Sequence, residues 1–78
     1  MSRAIVDQFE KTLAVLKLVS DRVRKTSAKE IQEITGGSGT NCRRFIRQLE
    51  KSGYLVGDGH TPRGYKATEK AKQIFYKN

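Results

Sequence analysis

The sequence predicts a small α+β domain, mostly helical, in which three helices are followed by a β-hairpin and a short last helix. Apolar residues repeat at helical spacing in three stretches before Gly53. After Gly53 the period changes to about two, and a turn-rich segment separates two short runs typical of strands. Because the chain has 78 residues, we expect a single domain over 1–78 with a compact core.

The first helix is predicted from Ala4 to about Val19. One face, expected to be buried, carries apolar residues at spacings of three and four: Ile5, Phe9, Leu13, Leu16 and Val19. Ala14 and Leu18 lie on the opposite face, where a fully solvated helix would carry polar groups. This second stripe indicates another partner, either the last helix or a second subunit. The polar segment 21–26 is expected to be a loop with room for a short strand near its end.

The next two helices are marked by their capping residues. Ser27 and Glu30 have the spacing of a capping box, and Gly36 suits the end of that helix. Ser38 can cap a third helix over 39–52 after a glycine-rich turn. The residues expected to point inward are Ala28, Ile31 and Ile34 in the second helix and Cys42, Phe45, Ile46 and Leu49 in the third. Two helices joined by so short a turn form a helix-turn-helix.

The remainder predicts a hairpin and a last helix. Strands are expected over 54–56 and 64–67, joined by the loop 57–63. Thr68 can cap a short helix that starts after it. Its inward residues are expected to be Ala71, Ile74 and Phe75.

Charge is the strongest compositional signal, since the chain carries a net +8. Residues 1–21 are neutral overall, so the whole excess lies after the first helix and can gather on one face. Such a face attracts phosphates and releases their counterions, which indicates nucleic-acid binding. The plain alternative is a basic surface that only keeps the protein soluble.

Several other classes of function are not expected. No apolar run approaches the length of a membrane span, and no signal peptide is visible, so we expect a cytoplasmic protein. The one cysteine, Cys42, falls on the core stripe and should be an inert buried thiol. One histidine far from it leaves no zinc cluster, and no nucleophile and base converge. We therefore predict no enzyme, metal or cofactor.

The third helix carries the candidate binding face. The direction opposite its core stripe passes through Thr40, Arg44, Arg47 and Lys51, with Asn41 and Arg43 beside it. Arginine can bind guanine or phosphate with two hydrogen bonds, and asparagine can bind adenine in the same way. A helix fits the major groove of DNA, so this face is predicted to contact duplex DNA. A solvated basic face remains the structural alternative.

Two further regions are candidates for DNA contact. The backbone amides of Gly39 and Thr40 could hold a DNA phosphate at the start of the third helix. In the hairpin, Arg63 and Lys66 are the cations, with His60 and Thr61 as weaker candidates. The alternative is a loop that merely closes the hairpin.

Three stretches together resemble a winged helix-turn-helix domain. They are 27–36 with Ser38 and Thr40, then 43–55, then 64–70. The chain is similar above all to the amino-terminal DNA-binding domains of the IclR family, and more loosely to the MarR family. The resemblance implies that Thr40, Asn41, Arg44 and Arg47 read or approach DNA. It makes the hairpin 57–66 a wing on the backbone or minor groove.

The sequence departs from this family pattern at three points. Gly37 stands where such domains usually place a buried leucine, and Gly39 stands where a polar or basic residue is common. The chain ends at Asn78, so we expect no small-molecule effector domain.

These observations predict a small stand-alone DNA-binding protein, a transcriptional regulator associated with the nucleoid. The complete set of residues expected at DNA is Ser38, Gly39, Thr40, Asn41, Arg43, Arg44, Arg47, Lys51, His60, Arg63 and Lys66. A homodimer is expected through Ala14, Leu18, Phe75 and Tyr76. The alternatives are an RNA-binding or ribosome-associated winged helix, and a winged helix used for protein–protein contact.

Overall fold

A computed structural model describes residues 3–59 and 63–76 of the protein. Within those residues the helices are α1 (Arg3–Asp21), α2 (Ala28–Thr35), α3 (Gly39–Lys51) and α4 (Glu69–Phe75). The strands are β1 (Thr26–Ser27), β2 (Leu55–Gly57) and β3 (Gly64–Ala67). They form an antiparallel sheet in the order β1-β3-β2. This arrangement confirms the predicted fold class, a mostly helical winged helix.

The capping box predicted at the start of α2 is present. The Ser27 hydroxyl accepts a hydrogen bond from the Glu30 amide at 3.2 Å, and the Glu30 carboxylate accepts one from the Ser27 amide at 3.1 Å. The helix ends at Gly36, whose φ of 70° lies in the left-handed region that glycine adopts readily. Local sequence chemistry alone therefore sets both ends of α2.

The other predicted caps are also confirmed. Ser38 accepts from the amide of Asn41 at 3.2 Å and begins α3, and Thr68 accepts from the amide of Ala71 at 3.3 Å and begins α4. Because each hydroxyl satisfies an otherwise unpaired amide, each fixes the residue at which its helix starts.

The small sheet ties the hairpin to the end of the α1–α2 loop. Thr26 of β1 pairs with Tyr65 of β3, which confirms a short strand at the end of that loop. The hairpin strand β2 begins at Leu55, one residue later than predicted. Tyr54 is excluded because its amide donates to the carbonyl of Leu49 at 2.9 Å and so closes the end of α3. The sheet thus joins the hairpin to the start of α2, and the hydrogen bond of Tyr54 joins it to the end of α3.

The core lies between the second half of α1, the helix-turn-helix and the inner face of the sheet. Its buried residues are Val15, Leu16, Val19, Ile31, Cys42, Ile46, Leu49, Leu55, Tyr65 and Ala71. The Cys42 thiol is buried and directed at the Ala28 carbonyl at 3.7 Å, as expected for a structural thiol. The inward stripe predicted for α3 is therefore correct.

The predicted core face of α1 is wrong in its first half. Ile5 and Phe9 are 62% and 61% exposed, and the buried residues of α1 begin only at Val15. The reason is length: α1, with 19 residues, is about 28 Å long, whereas the eight-residue α2 extends about 12 Å. The elements packed on α1 are too short to cover it.

A second correction concerns α4. Ile74, predicted to point inward, is exposed. Ala71 and Phe75 lie one turn apart and face the core, and Ile74 falls beside them at the solvent edge. A helix of seven residues has only one narrow buried stripe.

Candidate nucleic-acid interface

The outward face of α3 is exposed and lies opposite its buried stripe. Cys42, Ile46 and Leu49 anchor the helix to the core. The exposed side carries the residues predicted from the sequence: Thr40, Asn41, Arg43, Arg44, Arg47 and Lys51. Four of them, Thr40 and the three arginines, line one shallow depression on this face. The structure therefore brings Thr40 and the three arginines together on one surface, while Asn41 lines a neighbouring depression that faces α1.

The cations of this face are not neutralised by ion pairs. Within residues 3–59 and 63–76, no acidic side chain lies within ion-pair distance of Arg43, Arg44, Arg47 or Lys51. The bridges that do form engage cations outside α3, at Lys17, Arg22, Arg24, Lys25 and Arg63. The positive charge of α3 thus stays available to an external anion.

Two acids near the interface are held by other cations. Glu30 accepts from Arg22 and lies 3.5 Å from Arg24, and Lys25 lies 2.9 Å from Asp58. The hydrogen bond from Arg22, followed by that from the Ser27 amide, lowers the pKa of Glu30 from its usual 4.5 to about 2. The carboxylate of Asp58, the acid of the hairpin, therefore points toward Lys25.

The turn before α3 accommodates its glycines without a buried side chain. Gly36 and Gly37 have φ values of 70° and 74°, and a Cβ at Gly37 would meet nothing within 4 Å. A side chain at position 37 would therefore not be buried here, unlike the leucine that similar domains usually place at this point of the turn. Instead, the side-chain amide of Gln32 donates a hydrogen bond from Nε2 to the Gly37 carbonyl at 3.2 Å. At Gly39 a Cβ would make an ordinary contact, 3.9 Å from the Gln32 side chain.

A cleft separates α3 from the hairpin. Its lining residues are Arg43, Ile46, Arg47, Glu50, Arg63 and Tyr65. Arg63 extends toward α3, where its Nη1 lies 4.0 Å from Oε2 of Glu50. Burial raises the pKa of the Tyr65 hydroxyl above its usual 10.0, so this hydroxyl is protonated at neutral pH. The cleft combines three arginines with one acid and one buried phenol.

Not every predicted residue of the hairpin joins this surface. Lys66 is exposed and alternates with buried Tyr65 along β3, so it points to the other side of the sheet. It lines a separate depression with Arg22 and Lys72, beside the end of α1. His60 and Thr61 lie outside the described residues.

The residues predicted for a dimer contact occupy different environments. Ala14 is exposed and Leu18 is half-buried on α1. Phe75 packs against the core of its own chain. The Tyr76 hydroxyl accepts from Nζ of Lys17 at 3.0 Å, and that ammonium also lies above the Tyr76 ring, 4.7 Å from its centroid. The last helix therefore packs against α1 of its own chain.

Sequence reasoning missed Glu50, Gly57 and Tyr65 as parts of the interface. Glu50 carried a signal, since it is the one acid of a strongly basic helix. Tyr65 and Gly57 carried none, because their position beside α3 depends on the pairing of β2 with β3.

Residues 9–59 match the family model described as the IclR helix-turn-helix domain. The chain belongs to the IclR helix-turn-helix family. The match runs from the middle of α1 through β2 into the hairpin loop and includes the whole of α3. A comparison with curated proteins found no match.

Membership in the IclR helix-turn-helix family indicates a DNA-binding domain of transcription regulators, a family that is not enzymatic. Among the described residues, no helix has the length and apolarity needed to span a membrane. The same part of the chain brings together no three His, Cys, Asp or Glu side chains that could hold a metal ion.

Proposed function

We propose that the protein is a transcriptional regulator that binds duplex DNA in the nucleoid. In this proposal α3 enters the major groove, and the hairpin 57–66 acts as a wing on the backbone or minor groove. The observation that carries the proposal is the exposed face of α3, whose four cations have no ion pair among the described residues. Such a face, directly after the turn of a helix-turn-helix, is the geometry by which these motifs bind DNA.

The position of each residue along α3 supports a different role. Arg44 and Arg47 lie near the middle of the exposed face and are proposed to reach base edges, where arginine can bind guanine. Asn41, in the first turn, is proposed to contact adenine or a neighbouring base. Lys51, in the last turn, and Arg43, on the hairpin side, are proposed to contact phosphates.

The start of α3 is proposed to bind a phosphate as well. Ser38 uses its hydroxyl to satisfy the Asn41 amide, so the amides of Gly39 and Thr40 remain for an external acceptor. Free amides and the helix dipole both favour an anion at this position.

We further propose a homodimer that includes Ala14 and Leu18 of α1 with Phe75 and Tyr76. The support is that Ala14 and Tyr76 are exposed and Leu18 is half-buried on the α1–α4 side of the molecule. An isologous contact would place two recognition helices about 34 Å apart, matched to two half-sites one helical turn apart.

One competition assay tests the proposed class of ligand. A labelled duplex bound to the protein is challenged with unlabelled duplex DNA or with single-stranded RNA of equal length. We expect duplex DNA to compete far better, because single-stranded RNA is usually held by exposed aromatic residues. In the described strands the one aromatic residue, Tyr65, is buried. Stronger competition by the RNA would favour the RNA-binding alternative.

A further inference from the structure

Glu50 is an acid placed where DNA binding would favour none. It lies on α3 between Arg47 and Lys51 and lines the cleft that faces the hairpin. A carboxylate near a DNA phosphate is repelled, and this one is about a quarter exposed. Its position therefore requires a reason other than attraction to DNA.

The neighbour of Glu50 supplies that reason. Its Oε2 lies 4.0 Å from Nη1 of Arg63, a residue at the foot of β3 in the hairpin. This contact joins the recognition helix to the wing across the cleft. An exposed pair of this kind contributes little to folding stability, and its geometric result is that the guanidinium of Arg63 lies beside α3.

Gly57 of β2 provides the space for this contact. A Cβ built at Gly57 would lie 2.8 Å from Cδ of Arg63 and 3.0 Å from Oε2 of Glu50. Both side chains thus pass directly over the backbone of Gly57, from opposite sides of the cleft. The φ of Gly57 is not in the left-handed region, so it is close approach that favours glycine here.

We infer that Glu50 is a positioning residue, which holds Arg63 against α3 so that Arg43 and Arg63 bind one backbone phosphate in the cleft. This inference rests on the proposed DNA binding. Both arginines line the same cleft. The Tyr65 hydroxyl also interacts with Arg63 there, and Glu50 is the partner of Arg63 that lies on α3. A phosphate with its three acceptor oxygens suits several guanidinium groups at once.

The change in DNA affinity caused by Glu50→Gln separates a positioning role of Glu50 from simple charge repulsion. Glu50→Gln removes a negative charge from the basic face, which by charge alone strengthens binding to any DNA. If Glu50 positions Arg63, the same change weakens binding because one phosphate contact is lost. Glu33→Gln is the matched control, since Glu33 is an exposed acid of α2 without an ion pair in the described part of the chain.

The first experiment measures duplex binding by fluorescence anisotropy over a series of salt concentrations. We expect Glu33→Gln to bind as tightly as wild type or slightly more tightly. We expect Glu50→Gln to bind more weakly, with a salt slope smaller by about one, as for Arg63→Ala. The double variant Glu50→Gln/Arg63→Ala should bind no more weakly than Arg63→Ala, because Glu50 acts only through Arg63. Tighter binding by Glu50→Gln, equal to that of the control, would overturn the inference.

A second variant tests the geometry without changing any charge. Gly57→Ala places a methyl group against both partners, so it should reduce affinity and salt slope as Glu50→Gln does. An unchanged affinity and slope would contradict the inference.

The free protein gives a readout that needs no DNA. The Arg63 side-chain Nε–Hε signal in NMR relaxation should be more ordered in wild type than in Glu50→Gln or Gly57→Ala. Equal mobility in all three proteins would overturn the positioning role even if DNA binding holds. If wild type binds no DNA, the proposed function and the phosphate contact both fail, while the NMR comparison still decides whether Glu50 orders Arg63.

Discussion

Among single residues, Arg44 and Arg47 are proposed to contribute most to specific binding, because they project from the middle of the exposed face of α3. Replacing either by alanine should cost about 1–3 kcal/mol on a specific site and relax discrimination among sequences. Lys51→Ala should weaken binding to all sequences alike and lower the salt slope by about one. Titration of each variant against specific and scrambled duplexes measures both effects. Lys72→Ala, on α4, is the control and should change neither. If both arginine variants kept full specific affinity, docking of α3 in the groove would be wrong.

Glu30 gives a prediction about stability and pH. Its pKa is about 2 in the folded protein and close to 4.5 when the chain is unfolded. The stabilisation is therefore fully present above the unfolded pKa, and it is lost as pH falls from about 4.5 to about 2. Glu30→Gln keeps the side chain of a capping box but removes the charge.

Urea unfolding between pH 7 and pH 2 measures the effect of Glu30. The difference in unfolding free energy between wild type and Glu30→Gln should shrink as the pH is lowered through this range. In an Arg22→Ala background the same comparison should lose most of its pH dependence, because the hydrogen bond from Arg22 is the main cause of the lowered pKa of Glu30. A constant difference between wild type and Glu30→Gln at every pH would contradict the assigned role of the Arg22 contact.

Single residues were most predictable where the chemistry is local. Ser27, Ser38 and Thr68 were assigned as caps because the hydroxyl and the amide that it satisfies lie three residues apart in the chain. The contact of Glu50 with Arg63 could not be assigned in this way. It joins residues of different elements, and it depends on how the hairpin packs beside α3.

At the scale of elements, α1 shows why periodicity can identify a helix but not its partner. The apolar repeat correctly predicts a helix, and α1 runs from Arg3 to Asp21. The same repeat continues through Ile5 and Phe9, which none of the described helices and strands covers. Periodicity is a property of one helix, whereas burial depends on the length of the elements that pack against it.

The hairpin yields a prediction at this scale. Replacing residues 59–63 by Asn-Gly leaves Asp58 and Gly64 as the closing pair, where the Asp58 amide already donates to the Gly64 carbonyl at 3.1 Å. A two-residue turn suits the twist of the strands, so the fold should be kept. Affinity for all DNA should fall, with little change in sequence preference, because Arg63 is removed. Unchanged affinity and salt dependence would show that the loop only closes the hairpin.

At the scale of the whole molecule, an apolar surface on α1 contrasts with a basic body. Residues 1–21 are neutral overall, and Ile5, Val6 and Phe9 are exposed near the first turns of α1. Exposed apolar groups of this kind are costly unless a partner covers them. The proposed dimer contact through Leu18 lies on the opposite face of this helix, so Ile5 and Phe9 form a separate apolar surface.

Analytical ultracentrifugation tests the proposed dimer. Wild type should sediment as a dimer at high micromolar concentration, and Leu18→Glu should sediment as a monomer because a charge would be buried in the contact. Val23→Glu, at an exposed position after α1, should leave the dimer intact. A wild-type monomer that Leu18→Glu leaves unchanged would contradict the proposal.

The central claim is that the exposed face of α3 reads base sequence in duplex DNA. Selection of bound duplexes from a random library, with wild type and with the Arg44→Ala/Arg47→Ala variant in parallel, tests it most directly. If α3 reads bases, wild type should enrich one sequence, and the variant should lose that enrichment while it keeps weak binding to all DNA. No enriched sequence for wild type, or the same one for both proteins, would contradict it.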